Sequence, residues 1–237
     1  MSEWKARRFW KQAEARGVDG GWEIALDGRP VRTPGKHALV LPTRALAAAI
    51  ADEWDAQSDV IDPNAMPLTR AANSAIEKVA PQFSSVAAML VDYGTTDLLC
   101  YRAEQPEILA AMQIEAWDPL IDWAASCLNA PLLVTNGVIP IAQPDKSIAR
   151  LRQEVEGLDG FALTALHDLV TLPGSLILGL AVIRGRLTAT EAHRLSRVDE
   201  DYQTGIWGQD KEAMSAAQNR LVAMIAAESF HSLARQG

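Results

Sequence analysis

The chain has 237 residues, 49% of them hydrophobic and 22% charged, with a formal net charge of −8. That is the composition of a soluble globular protein long enough to bury a core without covalent staples, and the acidic balance argues against a general affinity for nucleic acid or anionic membrane. Two cysteines are too few for a disulfide framework, no apolar run approaches the roughly 20 residues of a membrane-spanning helix, and the opening MSEWKARRFWKQ has no apolar signal core.

The opening segment is basic and aromatic, as a transit peptide is, but Glu3 and Glu14 interrupt it and Gly17 ends the pattern. It reads as a first helix over 3–16, with Gly17 just past its end. WEIAL (22–26) then alternates as a strand, Asp27-Gly28 signals a hairpin turn, RPVRT returns as a second strand and HALVL (37–41) as a third. Thr43 suits a helix N-cap, and Leu46, Ile50 and Trp54 follow at helical spacing. SDVIDPNAMPLT (58–69), rich in proline and aspartate, marks a linker or crossover.

Helical signals dominate beyond it, over 70–80 and 81–93, the second opened by Pro81 and closed by Gly94. TDLLCYR (96–102) reads as a strand. A long helix runs from Pro106 to about residue 129, interrupted by Pro119 with Asp118 placed to cap its second half. PLLVTNGVIPI (131–141) is extended, with a turn at Asn136-Gly137. Helices are expected over 144–156, 160–171, 174–184, 189–207 and 210–235, and Thr188 with Glu191 forms a capping box. The resulting fold class is α+β. A small N-terminal α/β domain with a short antiparallel sheet (1–62) precedes a larger, mainly α-helical orthogonal bundle (63–237).

The stretch LDGRPVRTPGKHALVLPT raises a phosphate-loop reading, which its own chemistry opposes. Six residues separate Gly28 from Gly35, where such a loop has four. Lys36 precedes His37 rather than Ser or Thr, Pro30 and Pro34 have no amide hydrogen, and a strand follows instead of a helix. The four histidines show no ligand spacing, and Cys100 and Cys127 form no CxxC pair. No serine sits in a Gly-x-Ser-x-Gly elbow. Neither cofactor nor metal is expected. The enzymatic alternative is a hydrolase or transferase that holds an anionic substrate near Arg29 and Arg32.

Trp54 shares its stripe with core residues and reads first as packing. Trp207 differs. On a helix over 189–207, Leu195, Val198, Tyr202 and Ile206 form the apolar face, whereas Trp207 lies about 180° from Val198, on the side of Glu200 and Gln203, at roughly 100° per residue. An aromatic residue beside carboxylates suits either a recognition surface or packing against another helix. The acidic run Asp199-Glu200-Asp201 reads either as a solvated helix face or as carboxylates offered to arginines of a partner.

Five segments together carry a resemblance: LDGRPVRTPGKHALVLPTRALAAAIADEWDAQ (26–57), MPLTRAANSAIEKV (66–79), YGTTDLLCYRAEQPEIL (93–109), WDPLIDW (117–123) and LSRVDEDYQTGIWG (195–208). In this order and spacing they resemble the assembly chaperones of the F-type ATP synthase alpha subunit (the Atp-twelve type), from Arg8 to about His231. The resemblance implies a non-catalytic monomer that binds the unassembled alpha subunit, shields its subunit interface and hands it to the beta subunit. It also implies a bacterial cytoplasmic or mitochondrial matrix location, without nucleic acid or membrane insertion. It places Trp54, Asp55 and Gln57 in EWDAQ and Glu200, Asp201, Tyr202 and Trp207 in DEDYQTGIWG. Glu200, Asp201, Gln203, Trp207, Trp54 and Asp55 are the candidate client-binding residues.

Overall fold

A computed structural model describes residues 7–137 and 139–236. By contacts the chain divides into two compact units. The first comprises residues 1–82 with 160–165 and 229–237, the second 83–159 and 166–228.

In the first unit, β1 (Ala13–Val18), β2 (Gly21–Leu26) and β3 (Arg29–Pro30) form an antiparallel sheet in that order. The hairpin between β2 and β3 turns at Asp27 (φ 47°) and Gly28 (φ 80°). Two consecutive positive φ values match the twist of the flanking strands. The Asp27 carboxylate also accepts the Lys11 and Gln12 amides, and these bonds hold its pKa below the usual carboxylate value.

The helix expected over 3–16 is not formed where the chain is described. Residues 13–18 are strand, and Gly17 pairs with Trp22 instead of closing a helix; residues 3–6 lie outside the described residues. Strand pairing, a tertiary term, overrides the local helix preference of AEAR. The expected third strand HALVL is reduced to single bridges, Arg32↔Ala38 and Trp22↔Leu41.

Thr43 caps α1 (Arg44–Asp55), its hydroxyl accepting from the Leu46 amide at 3.1 Å. The helix buries Leu46, Ala47, Ile50 and Ala51 and packs on β1 and β2, closing a core with Ile24, Leu39 and Leu41. The helical signal over 70–80 resolves into α2 (Pro67–Ser74), a π turn at Ala75–Val79 and a 3₁₀ turn at Ala80–Gln82.

The second unit opens with α3 (Phe83–Tyr93). TDLLCYR is mostly not strand: Leu98–Cys100 is a 3₁₀ turn, and β4 (Tyr101–Arg102) alone pairs, in parallel, with β5 (Thr135–Asn136). Between them, α4 (Glu107–Cys127) runs unbroken through Pro119. Asp118 caps nothing there; it pairs with Arg102 at 2.7 Å. α5 (Asp145–Glu156) and α6 (Gly160–Thr171) follow.

α7 (Leu176–Ile183) is buried at every position, which explains its lack of a polar face. Its N-terminus is held twice. Ser175 accepts from Leu178, and the fully buried Asp97 accepts from Ile177 and from Leu99, each at 3.0 Å. Burial pushes Asp97 up to about 6, against those hydrogen bonds.

The helix expected over 189–207 divides into α8 (Ala189–Leu195), opened by the Thr188–Glu191 capping box, and α9 (Val198–Trp207). The break coincides with a tertiary contact. The Leu195 carbonyl accepts the Trp117 indole N–H at 2.8 Å, so it is taken by a side chain at the point where α8 ends. The stripe Leu195–Val198–Tyr202–Ile206 therefore does not lie on one helix, and Ile206 is 55% exposed. α10 (Lys211–Arg235) ends the chain and, like α6, contributes residues to both units.

Candidate functional site

α9 is anchored at its first turn by charge and hydrogen bonding. Arg197, just before it, pairs with Glu200 and, at 2.9 Å, with Asp201, three and four residues on, the spacing at which helical side chains meet. From α10, Arg220 reaches both Glu200 oxygens at 2.9 and 3.1 Å. Asp199 accepts from Gln113 of α4 at 2.5 Å. His193, buried at the end of α8, is held below the ordinary histidine pKa, first by burial and then by the charge of Arg197.

The far end of α9 is set by Gly208, whose φ of 89° lets the chain leave the helix where an L side chain is strained. Asp210 then accepts the Glu212 amide at 2.7 Å and opens α10. The result is an open groove of about 510 Å³, lined by α9 and the start of α10. Arg197, Glu200, Arg220, Gln203, Trp207 and Met214 are among the residues that line it. Trp207 is 83% exposed and Met214 49%. A tryptophan this open contributes little to the core, so of the two readings of Trp207 the packing one is excluded by its exposure.

Four of the six candidate residues, Glu200, Asp201, Gln203 and Trp207, therefore line one groove. Trp54 and Asp55 belong to the first unit, and their side chains are engaged there. Trp54 packs edge-on against Trp10, with ring centroids 5.2 Å apart. Asp55 accepts the Ala13 amide at 2.9 Å and pairs with Arg8. The neighbouring Gln57 is buried, accepting from Asp62 and donating to the Glu53 carbonyl. Sequence reasoning missed Arg197, Arg220 and Met214. The spacing of Arg197 from Glu200 and Asp201 would have revealed the first; Arg220 lies twenty residues from Glu200 and only the fold brings them together.

Arg29 and Arg32 are exposed, and Arg32 donates to the Lys36 carbonyl at 3.4 Å. The Gly35 amide, which a phosphate loop would turn toward its anion, donates instead to the Glu77 carboxylate. That carboxylate is held below its ordinary pKa by the Thr33 hydroxyl first and the Gly35 amide second. Among the described residues, no group of three or more His, Cys, Asp or Glu is placed to hold a metal ion, and no helix is long and apolar enough to cross a membrane.

The chain is similar in sequence and structure to known proteins. A crystal structure of Atp12 from Paracoccus denitrificans is 64% identical, covers 98% of this chain and 100% of its own, and superposes with a TM-score of 0.96. The Atu1473 protein of Agrobacterium tumefaciens is 42% identical, covering 95% of this chain and 85% of its own, with a TM-score of 0.92. The mitochondrial atp12 protein of Schizosaccharomyces pombe is 27% identical over 221 residues, 87% of this chain and 75% of its own. The family model for the ATP12 chaperone protein matches residues 7–125. A small antiparallel sheet followed by a mainly helical region, shared throughout its length with the Paracoccus protein, agrees with that match, and the chain belongs to the ATP12 chaperone family.

Proposed function

We propose that this protein is an assembly chaperone of the ATP synthase. It binds the unassembled alpha subunit of the catalytic sector, shields the surface that later meets the beta subunit, and yields to that subunit. It acts as a non-catalytic monomer without cofactor, in the bacterial cytoplasm or, in a eukaryote, the mitochondrial matrix. The client face is centred on Trp207, in the groove that Glu200, Asp201 and Gln203 also line.

The observation that carries this reading is the exposed Trp207–Met214 pair beside a cluster of matched charges. An unassembled subunit exposes apolar interface that invites aggregation. A partner that must later leave needs a moderate surface with few strong anchors and a polar rim. No comparable observation favours an anionic-substrate enzyme at Arg29 and Arg32.

The test is co-expression with the alpha subunit alone. Soluble alpha subunit should rise and co-purify with the chain, and addition of beta subunit should release it. No gain in soluble alpha subunit and no complex would overturn the reading. A thermal-shift series with phosphate and nucleotides tests the enzymatic alternative, which requires ligand-dependent stabilisation.

A further inference from the structure

Glu200 lines the groove, but its carboxylate is already engaged. One oxygen accepts from Arg220 at 3.1 Å, and the other accepts from Arg220 at 2.9 Å and from Arg197. Asp201 is matched by Arg197 as well. Two carboxylates thus face two guanidinium groups of the same chain, and a basic client segment finds no unmatched partner in this pair. Recruiting one would require breaking a bond already formed.

α9 has a further peculiarity: none of its ten residues is buried. Val198 and Tyr202 are only half-buried where α9 packs on α4, and Gln113 of α4 holds Asp199, so polar ties carry much of its placement; the Arg220–Glu200 pair is the ion pair that reaches it from α10. Moving α9 moves Trp207, its last residue.

Asp210 lines the groove and Lys211 opens α10, but the helix beyond them is poor in charge. Between residues 213 and 227 of α10, Arg220 is the one ionisable side chain. Met214, Val222 and Ile225 are exposed and fall within about 80° of one another at roughly 100° per residue. They form one outward stripe starting at the groove.

Resting on the client-binding reading above, we infer that Glu200 is a positioning residue and not a client contact. With Arg197 and Arg220 it fixes α9 so that Trp207 joins Met214, Val222 and Ile225 in a single neutral face. That face fits a client segment whose contacting side chains are apolar and uncharged. The Glu200–Asp201 cluster is matched within the chaperone, and Met214, Val222 and Ile225 bring no charge of their own to a basic segment.

The test compares capture of alpha subunit by the full chain and four variants: Glu200→Gln, Glu200→Arg, Arg220→Glu and the exchange Glu200→Arg with Arg220→Glu. The glutamine keeps an acceptor for Arg220 and should capture within about twofold of wild type. Each single charge reversal should weaken capture by about tenfold, the loss expected of a displaced anchor. The exchange should recover most of it. Hydrogen exchange of the amides of residues 198–207 should quicken in both reversals and slow again in the exchange, at unchanged melting temperature.

Direct contact predicts the reverse. Arg220→Glu would leave capture intact or improve it by freeing Glu200, Glu200→Gln would lose as much as Glu200→Arg, and the exchange would not rescue. Any of these overturns the inference while leaving the chaperone reading standing. Absence of capture by wild type overturns both.

Discussion

Gln113, only 2% exposed, donates from Nε2 to Asp199 Oδ1 at 2.5 Å and accepts the Ala103 amide on Oε1 at 2.7 Å. One side chain thus links the first turn of α9 to the segment after β4, across α4. Its helix also supplies Trp117, whose indole holds the Leu195 carbonyl. The placement of the candidate groove depends on α4 as much as on the residues lining it.

Gln113→Leu keeps the volume and removes both bonds. It leaves the Ala103 amide and the Asp199 carboxylate unmatched, a loss of about 1–3 kcal/mol for an unsatisfied partly buried group. Urea denaturation should show a lower midpoint with an unchanged slope, and hydrogen exchange should locate the loosening in residues 198–207.

Trp207→Ala should separate function from stability. The side chain is 83% exposed, and surface substitutions of this kind shift stability by roughly 0.5 kcal/mol or less. Removing an exposed aromatic anchor should nevertheless cost capture of the alpha subunit by about 2 kcal/mol, the range of an interface hot spot. Equal melting temperatures with unequal pull-down is the expected result; equal pull-down would remove Trp207 from the client face.

Asp97 makes stability depend on pH in an unusual direction. Its folded pKa, about 6, lies above the ordinary 3.8, so between these values the folded chain holds the proton more tightly than the unfolded one. The Asp97 contribution is therefore fully present below about pH 4 and is lost as pH rises through about 6. Asp97→Asn cannot titrate. The stability of wild type minus that of the variant should fall between about pH 4 and about pH 6 and stay level above, measured by urea melts at several pH values. A flat difference would show that burial does not govern this carboxyl.

Glu53 caps a helix it does not belong to. The residue preceding α2, Met66, makes no side-chain cap. Glu53 of α1 accepts the Leu68 and Thr69 amides at 2.7 and 2.8 Å and the Thr69 hydroxyl at 2.6 Å. Glu53→Ala should cost about 1 kcal/mol, as loss of an N-cap does, with faster exchange at the amides of 68 and 69. Glu53→Gln, which retains one acceptor oxygen, should cost less.

Short-range chemistry was legible in the order of residues alone. Thr43, the Thr188–Glu191 pair and the Asp27-Gly28 turn act over a few residues, through a hydroxyl within reach of a free amide or a backbone angle that glycine tolerates. The five segments shared with the chaperone family were legible for the same reason, since they are runs of adjacent residues.

Tertiary structure decided what depends on partners distant in sequence. Residues 13–18 contain good helix formers but pair with 21–26, because a strand is stabilised by its neighbour. A helix expected to run from 189 to 207 breaks where Trp117, 78 residues away, takes a carbonyl. Pro119 leaves α4 intact, and Asp118 faces Arg102 instead of a helix end. At the groove, the exposure of Trp207 and the matching of Glu200 by Arg220 arise only when α9 and α10 are placed side by side. Charges twenty residues apart carry no periodic signal that would announce their pairing.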